Sequence, residues 1–139
     1  MRNKSSFSIC DYFVIFDSPL NMLCGNLSNY KREPECTAFI ARIPTVWDET
    51  LGLDGKVGEY ITMAKWYVGG LTNWDKRDII VDLSFLGEGF YEIELFKDGI
   101  NADRAACDYK RVVMPVPEDR QLKVTLFPGG GFAGRIEKR

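Results

Sequence analysis

The chain has 139 residues, of which 45% are hydrophobic and 27% are charged, and its formal net charge is −2. These values are average for a globular domain and exclude a collagen-like, disordered or coiled-coil chain. The chain is too short for a complete (β/α)8 barrel, which needs about 250 residues. Because the sequence has no histidine, Ser-His-Asp triads and His-ligated zinc sites are also excluded. It has no basic stripe for nucleic acid and no apolar run long enough for a transmembrane helix.

The first 45 residues have the apolar spacing of α-helices. Ser18-Pro19 is typical of a helix start, since serine caps the first turn and proline fits the first helical position. Apolar residues then fall on one face, namely Leu20, Leu23, Cys24 and Leu27. Pro34 begins a second candidate helix, in which the same spacing recurs at Cys36, Phe39, Ile40 and Ile43. The apolar run 12–16 fits either a strand or a buried helix.

From about residue 59 the hydrophobic period becomes two, which is typical of strands with one polar face. The alternation is clear at 79–85, 91–95 and 122–126, and weaker at 60–68, 111–116 and 132–136. Turn signals separate these segments, including Gly69-Gly70 and the glycines of 128–131. The glycine-punctuated stretch 44–58 indicates a connection. We therefore expect a mainly β chain, an antiparallel β-sandwich preceded by one or two helices.

The four cysteines, Cys10, Cys24, Cys36 and Cys107, form no CxxC pair. This spacing argues against zinc and redox motifs, and it leaves both disulfides and free buried thiols open. The N-terminus resembles a signal peptide only faintly, because Asp11 interrupts the apolar stretch and no small-residue cleavage site follows. We interpret it as an ordinary amphipathic segment.

Short motifs occur in a fixed order along residues 12–137. They are SPLNML at 18–23, IPTVWDET at 43–50, LDGKVGEYI at 53–61, WYVGG at 66–70, DLSFL at 82–86, DGINAD at 98–103 and PGGGF at 128–132. Their order and spacing resemble the C-terminal part of glycoside hydrolase family 97 enzymes. In this resemblance, 1–45 is a remnant of the last helical segment of the catalytic barrel, 46–58 is a junction, and 59–139 is the C-terminal β-sandwich.

The resemblance implies an accessory domain that packs against and stabilises a catalytic barrel, in an enzyme acting on α-glucosides or α-galactosides. The family's catalytic carboxylates precede everything in this chain, so none is assigned here and the fragment alone is expected to be inactive. The family also implies a calcium ion in the intact enzyme, with neither cofactor nor metal in this fragment, and a periplasmic or secreted location. Residues 1–10 match the family pattern poorly, as an internal start or a truncated gene would give.

Junction residues Trp47, Asp48 and Glu49 are the candidate domain interface. Asp48 and Glu49 are also a formal carboxylate pair, but adjacent residues usually point apart, so we favour a hydrogen-bonded linker over acid/base chemistry. Glu92 and Glu94 share one strand face, which we interpret as the solvated side.

A second hypothesis is an independent carbohydrate-binding or interaction module. Its candidate residues are Trp66, Tyr67 and Trp74, whose rings could stack on an oligosaccharide, although packing inside the sandwich is the simpler reading. A third hypothesis is a free-standing glycosidase, but the chain lacks the barrel strands and the upstream carboxylates that such an enzyme would need.

Two further patterns are attributed to turns. Oxygen-bearing side chains crowd one loop at Asp98, Asn101, Asp103 and Asp108, but their spacing is not that of a calcium-binding loop. Gly129, Gly131 and Gly134 match the dinucleotide-binding spacing formally, but the helix that this motif requires has no room to follow.

Overall fold

The computed structural model describes residues 8–16, 18, 27–64, 66–99 and 108–139. The helices in this part of the chain are α1 Ser8–Ile15, α2 Leu27–Arg32 and α3 Pro34–Arg42. Eight described strands follow: β1 Leu51–Lys56, β2 Tyr60–Ala64, β3 Tyr67–Thr72, β4 Arg77–Asp82, β5 Tyr91–Asp98, β6 Tyr109–Pro115, β7 Gln121–Leu126 and β8 Gly131–Lys138. No described helix has the length and apolar character needed to cross a membrane.

The strands form two antiparallel sheets, which confirms the predicted fold class. One sheet has six strands in the order β1-β2-β3-β8-β5-β6, and the other pairs β4 with β7. We call the apolar layer between them the inter-sheet core. Its buried residues are Ala64, Val68, Val81, Leu83, Leu86, Tyr91, Ile93, Leu95, Leu122, Val124, Leu126, Phe132 and Ile136.

The opposite face of the six-stranded sheet carries a second apolar layer, the helix–sheet cluster. Its buried residues are Val14 from α1, Cys36, Phe39 and Ile40 from α3, and Tyr67, Phe96 and Ala133 from the sheet. The predicted solvated face of β5 is therefore wrong in part. Glu92 and Glu94 share their strand face with Phe96, which is 1% exposed beneath the helices. Strands β3, β5 and β8 are consequently buried on both faces.

The helical predictions are confirmed where the structure describes them. The ambiguous run 12–16 belongs mostly to α1, and α3 begins at Pro34 with its predicted residues Cys36, Phe39 and Ile40 buried. The helix predicted to start at Ser18-Pro19 lies almost entirely outside the described residues. Cys36 is disulfide-bonded, and the other three cysteines have no described side chain.

The glycines Gly69 and Gly70, predicted as a turn, lie inside strand β3 instead. A Cβ at Gly69 would lie 2.9 Å from Cγ1 of Val14, and a Cβ at Gly70 would overlap the Phe132 ring. These positions therefore lack side chains because α1 packs closely on one face and an aromatic ring on the other. The single strand predicted at 60–68 is instead divided between β2 and β3.

Strand β1 lies within the stretch predicted as a connection. It pairs with β2 at the sheet edge and carries an irregularity between Gly52 and Asp54. Its glycines weaken the hydrophobic alternation by which a strand is recognised, although the backbone still pairs. The predicted glycine turn before β8 is confirmed, since Gly129 has a φ of 73° and Gly131 and Gly134 lie in β8.

Candidate functional site

The helix–sheet cluster is held by a chain of aromatic contacts. The Phe39 ring lies 4.8 Å from the Phe96 ring and 5.8 Å from the Tyr67 ring, measured between centroids. Trp47 meets Tyr67 edge-on at 5.5 Å. Such tilted and edge-to-face pairs contribute beyond their buried area. The contacts thereby tie helix α3, the junction and strands β3 and β5 together.

Polar contacts cross the same interface. The Tyr67 hydroxyl donates a 2.7 Å hydrogen bond to the Arg42 carbonyl oxygen at the end of α3, and burial raises the pKa of this phenol above its ordinary value. The Arg111 guanidinium lies 2.7 Å from Glu94 and 3.6 Å from Glu35 of α3. Because the ion pair with Glu35 is solvent-exposed, it orients the helix more than it stabilises it.

The structure separates the three aromatic residues predicted as a sugar-stacking platform. Tyr67 is 5% exposed and belongs to the helix–sheet cluster, so it cannot stack on a ligand from solvent. Trp66 and Trp74 are 62% and 60% exposed, respectively. Trp74 lies flat against the turn at Gly129, where an added Cβ would come within 2.7 Å of its ring. Trp66 therefore remains as the candidate that lines a concavity.

That concavity, which we call the aromatic cleft, has a volume of about 340 Å³. Its lining includes the junction residues Trp47, Asp48 and Glu49, all predicted as interface residues, and it also includes Trp66. The full lining is Pro44, Val46, Trp47, Asp48, Glu49, Leu51, Ala64, Trp66, Phe85, Leu86, Gly87 and Tyr91. Trp47 is half-buried whereas Asp48 and Glu49 are exposed, so their interface role stays a prediction.

The predicted oxygen-rich loop is described only at its two ends. Asp98 is 4% exposed, and its Oδ2 accepts a 2.9 Å hydrogen bond from the Gly131 N–H, while its Oδ1 has no hydrogen-bond partner. Burial raises the pKa of this carboxyl to about 6, against the pull of backbone N–H groups at Gly131 and Phe127, and the charge of Asp108 raises it further.

Of the predicted oxygen-rich loop, the structure describes Asp98 and Asp108. Asn101 and Asp103 lie outside the described residues. The described residues contain no group of three acidic, cysteine or histidine side chains able to hold a metal ion. Sequence patterns alone could not identify the buried carboxyl, because its burial depends on the turn before β8.

The fold is an antiparallel two-sheet sandwich with a helical layer on one sheet, and the family comparison assigns it. Residues 46–137 match the family model described as Glycosyl-hydrolase 97 C-terminal, oligomerisation. The chain belongs to this family of C-terminal domains.

Two relatives extend the comparison. The chain is 60% identical over 130 residues to a retaining alpha-galactosidase of Bacteroides thetaiotaomicron, covering 90% of this chain and 20% of that protein. It is 30% identical over 125 residues to a probable retaining alpha-galactosidase of Streptomyces bingchenggensis, covering 86% of this chain and 19% of that protein. The chain thus spans about a fifth of the length of these relatives.

Solved structures resemble nearly the whole chain. A Glycoside Hydrolase Family 97 enzyme from Pseudoalteromonas sp. strain K8, in complex with panose, superposes with a TM-score of 0.91 at 28% identity. The match covers 98% of this chain and 23% of that enzyme. The same enzyme in complex with acarbose gives the same values. The matched region therefore includes helices that precede residue 46, where the family model begins.

Proposed function

We propose that this chain acts as the C-terminal part of a retaining α-galactosidase, where it packs against and stabilises the catalytic barrel. The observation that carries the proposal is the helix–sheet cluster, in which Phe39 of α3 is buried against Tyr67 and Phe96 of the sheet. Helices that precede the sandwich are thereby fixed to it. A catalytic domain continuous with these helices would be held in one orientation.

The substrate class in this proposal is supported by the names of the two relatives, a retaining alpha-galactosidase and a probable retaining alpha-galactosidase. The chain by itself is expected to be inactive. Glycoside hydrolysis needs two carboxyl groups about 5–9.5 Å apart across the scissile bond. The consecutive carboxylates of Asp48 and Glu49 lie instead on an exposed junction. Turnover of an aryl α-galactoside by the folded chain would contradict this expectation.

Whether this chain is the C-terminal part of a longer α-galactosidase is tested by the DNA immediately upstream of the Met1 codon, translated in all three frames. We expect one frame to encode barrel strands with acidic residues at their ends, similar to the retaining alpha-galactosidase of Bacteroides thetaiotaomicron. An upstream region that encodes no such barrel would contradict the proposal.

The packing role is tested in a chimera in which this chain replaces the corresponding C-terminal fifth of the Bacteroides relative. We expect the chimera to hydrolyse an aryl α-galactoside. We also expect Phe39→Ala to lower the temperature at which activity is lost, because this ring joins the helices to the sheet. Phe90→Ala is the matched control, since Phe90 is 86% exposed. Equal inactivation temperatures for the two variants would contradict a role of the helix–sheet cluster in holding the barrel.

A second copy of the chain is the further proposed partner, because the family description includes oligomerisation. Sedimentation velocity over a wide concentration range tests this partner. We expect a species heavier than the 15.8 kDa monomer to accumulate with concentration. A single monomeric species throughout would contradict self-association of the isolated chain.

An oxidising compartment, the periplasm or the cell exterior, is the proposed location. The disulfide at Cys36 supports it, because structural disulfides persist mainly in such compartments. In protein from its native cells, we expect Cys36 to resist alkylation until a reductant is added. Alkylation without reductant would contradict the proposal.

Calcium of the intact enzyme is proposed to bind outside this chain. A chelator should therefore leave the thermal midpoint of the isolated chain unchanged. A chelator-induced drop would assign a structural calcium to this chain.

A further inference from the structure

The aromatic cleft exposes a large apolar side chain that packing does not explain. Trp66 is 62% exposed although it lies directly before β3, whose first residue Tyr67 is buried. Exposed indole is costly in water, and an exposed apolar surface within a concavity indicates a binding site more often than an isolated surface residue does. The volume of about 340 Å³ lies at the small end of the range for ligand pockets, roughly 300–1,000 Å³.

The walls of the cleft are preformed. Trp47 is oriented by its edge-on contact with Tyr67, whose hydroxyl is bonded to the Arg42 carbonyl. On the other side, Arg120 donates hydrogen bonds of 3.3 and 3.1 Å to the carbonyl oxygens of Gly87 and Gly89. These contacts fix the loop that forms part of the lining. A ligand would therefore meet ordered walls and lose less binding energy to ordering them.

The charges around the cleft disfavour ionic ligands of both signs. The charged side chains among its described lining residues are Asp48 and Glu49, which repel anions. Arg120 and Lys138 lie 5.1 and 5.9 Å from the centroid of the Tyr91 ring in the lining, and their positive charges offset those two carboxylates, so a cation is not favoured either. A neutral ligand is the class that this arrangement favours.

A neutral ligand that contacts both the Trp66 indole and the carboxylates of Asp48 and Glu49 needs an apolar face and hydroxyl groups at its edge. The apolar C–H face of a pyranose ring can stack on indole, and its hydroxyls can donate to carboxylates, which only accept hydrogen bonds when ionised. A covering protein surface would have to supply basic groups for Asp48 and Glu49, because burying unpaired carboxylates is costly. We propose that the aromatic cleft binds a single neutral pyranoside, with Trp66 as the stacking residue and Asp48 and Glu49 as hydrogen-bond acceptors.

The inference does not rest on the proposed accessory role. The sequence contains three tryptophans, Trp47, Trp66 and Trp74, which give three indole N–H resonances in a ¹⁵N-labelled sample. Methyl α-D-galactopyranoside and methyl α-D-glucopyranoside are titrated to millimolar concentrations. We expect the Trp66 resonance to shift most and the Trp47 resonance to shift less. The Trp74 resonance should stay in place, because Trp74 does not line the cleft.

Matched variants sharpen the titration. Trp66→Ala should abolish the sugar-dependent shift of Trp47, whereas Trp74→Ala, which removes an equally exposed indole, should leave it unchanged. Asp48→Asn and Glu49→Gln should each weaken binding about five- to tenfold, by loss of charge-assisted hydrogen bonds. Retained dispersion of the amide spectrum confirms that each variant is folded.

Four outcomes would overturn the proposal. The first is a Trp66 resonance that does not move with either sugar. The second is an equal response to cyclohexanol or tetramethylammonium, which would show a generic apolar or cationic site. The third is a shift of Trp66 with protein concentration alone, which would assign the cleft to a second copy. The fourth is a lower inactivation temperature of the chimera on Trp66→Ala, which would assign the cleft to the barrel.

Discussion

The inter-sheet core and the helix–sheet cluster lie on opposite faces of the same three strands, yet they are held differently. The inter-sheet core is built from strands joined by continuous backbone ladders. The helical side of the other cluster comes from α1 and α3, which have eight and nine residues. Isolated helices shorter than about 12–15 residues are marginal in water, so these helices depend on the sheet for stability. The difference suggests that the sandwich is the folding unit and that the helices dock onto it.

The largest expected effect lies in the inter-sheet core. Phe132→Ala removes a fully buried ring and should lower the free energy of unfolding by roughly 3–5 kcal/mol, measured by urea denaturation. Phe90→Ala, at an 86% exposed position, should change it by no more than about 0.5 kcal/mol. Similar losses for the two variants would contradict the assignment of this core.

The helical layer should unfold locally while the sandwich stays folded. Native-state hydrogen exchange is expected to give lower protection to amides of α1 and α3 than to those of β5 and β8. Phe39→Ala should reduce the helical protection by roughly 3 kcal/mol and leave the sheet amides nearly unchanged, because the lost contacts join helix to sheet. Uniformly high protection from α1 to β8 would show instead that the two layers unfold together.

Removal of the buried carboxyl at the end of β5 should stabilise the protein at neutral pH. The pKa of Asp98 is raised to about 6 in the folded state from an ordinary 3.8, so the folded state favours the protonated form. The contribution of Asp98 to stability is therefore highest below about pH 4 and falls as the pH rises through about 6, by at most about 3 kcal/mol.

Asp98→Asn keeps an acceptor for Gly131 and should gain about 2–3 kcal/mol at pH 7 while flattening this pH dependence. Urea denaturation at pH 4 and pH 7 measures both effects. Asp82→Asn is the control, because this exposed carboxylate also accepts a backbone N–H, from Ser84. A wild type that gains stability relative to Asp98→Asn between pH 4 and pH 7 would be opposite in sign to the prediction.

The smallest expected effect concerns one hydrogen bond across the helix–sheet cluster. Tyr67→Phe leaves the ring in place but removes the donor to the Arg42 carbonyl, which should cost about 1 kcal/mol. Tyr60→Phe should cost less, because the Tyr60 hydroxyl bonds to Asp54 at the exposed sheet edge. Thermal unfolding of both variants compares them directly, and an equal cost would indicate that the Tyr67 bond is not sheltered from solvent.

Much of the sandwich could be predicted from the sequence, because its strands alternate between a buried and a polar face. Segments 79–85, 91–95 and 122–126 overlap β4, β5 and β7, which supply much of the inter-sheet core. The same rule misjudged the opposite face of β5. A polar residue such as Glu94 indicates solvent only when nothing else covers the sheet, and here helix α3 packs beside it.

The candidate site was only partly predictable for similar reasons. Trp66 and Tyr67 are adjacent, so composition alone does not distinguish them, yet one lines the aromatic cleft and the other is buried under α3. The glycines of β3 were attributed to a turn because sequence shows what glycine permits locally, not which distant side chains require the space. Both distinctions depend on contacts between residues far apart in the chain.

The two boundaries of this domain have a consequence for modular evolution. The match to the family model begins at residue 46, whereas the packing that covers the sheet begins in α1. A gene fusion that transferred only residues 46–137 would leave Tyr67, Phe96 and Ala133 as an exposed apolar surface in the new protein. Residues 46–137 are therefore not expected to be transferable between proteins on their own. A successful recombination must include the helices or supply a replacement for them.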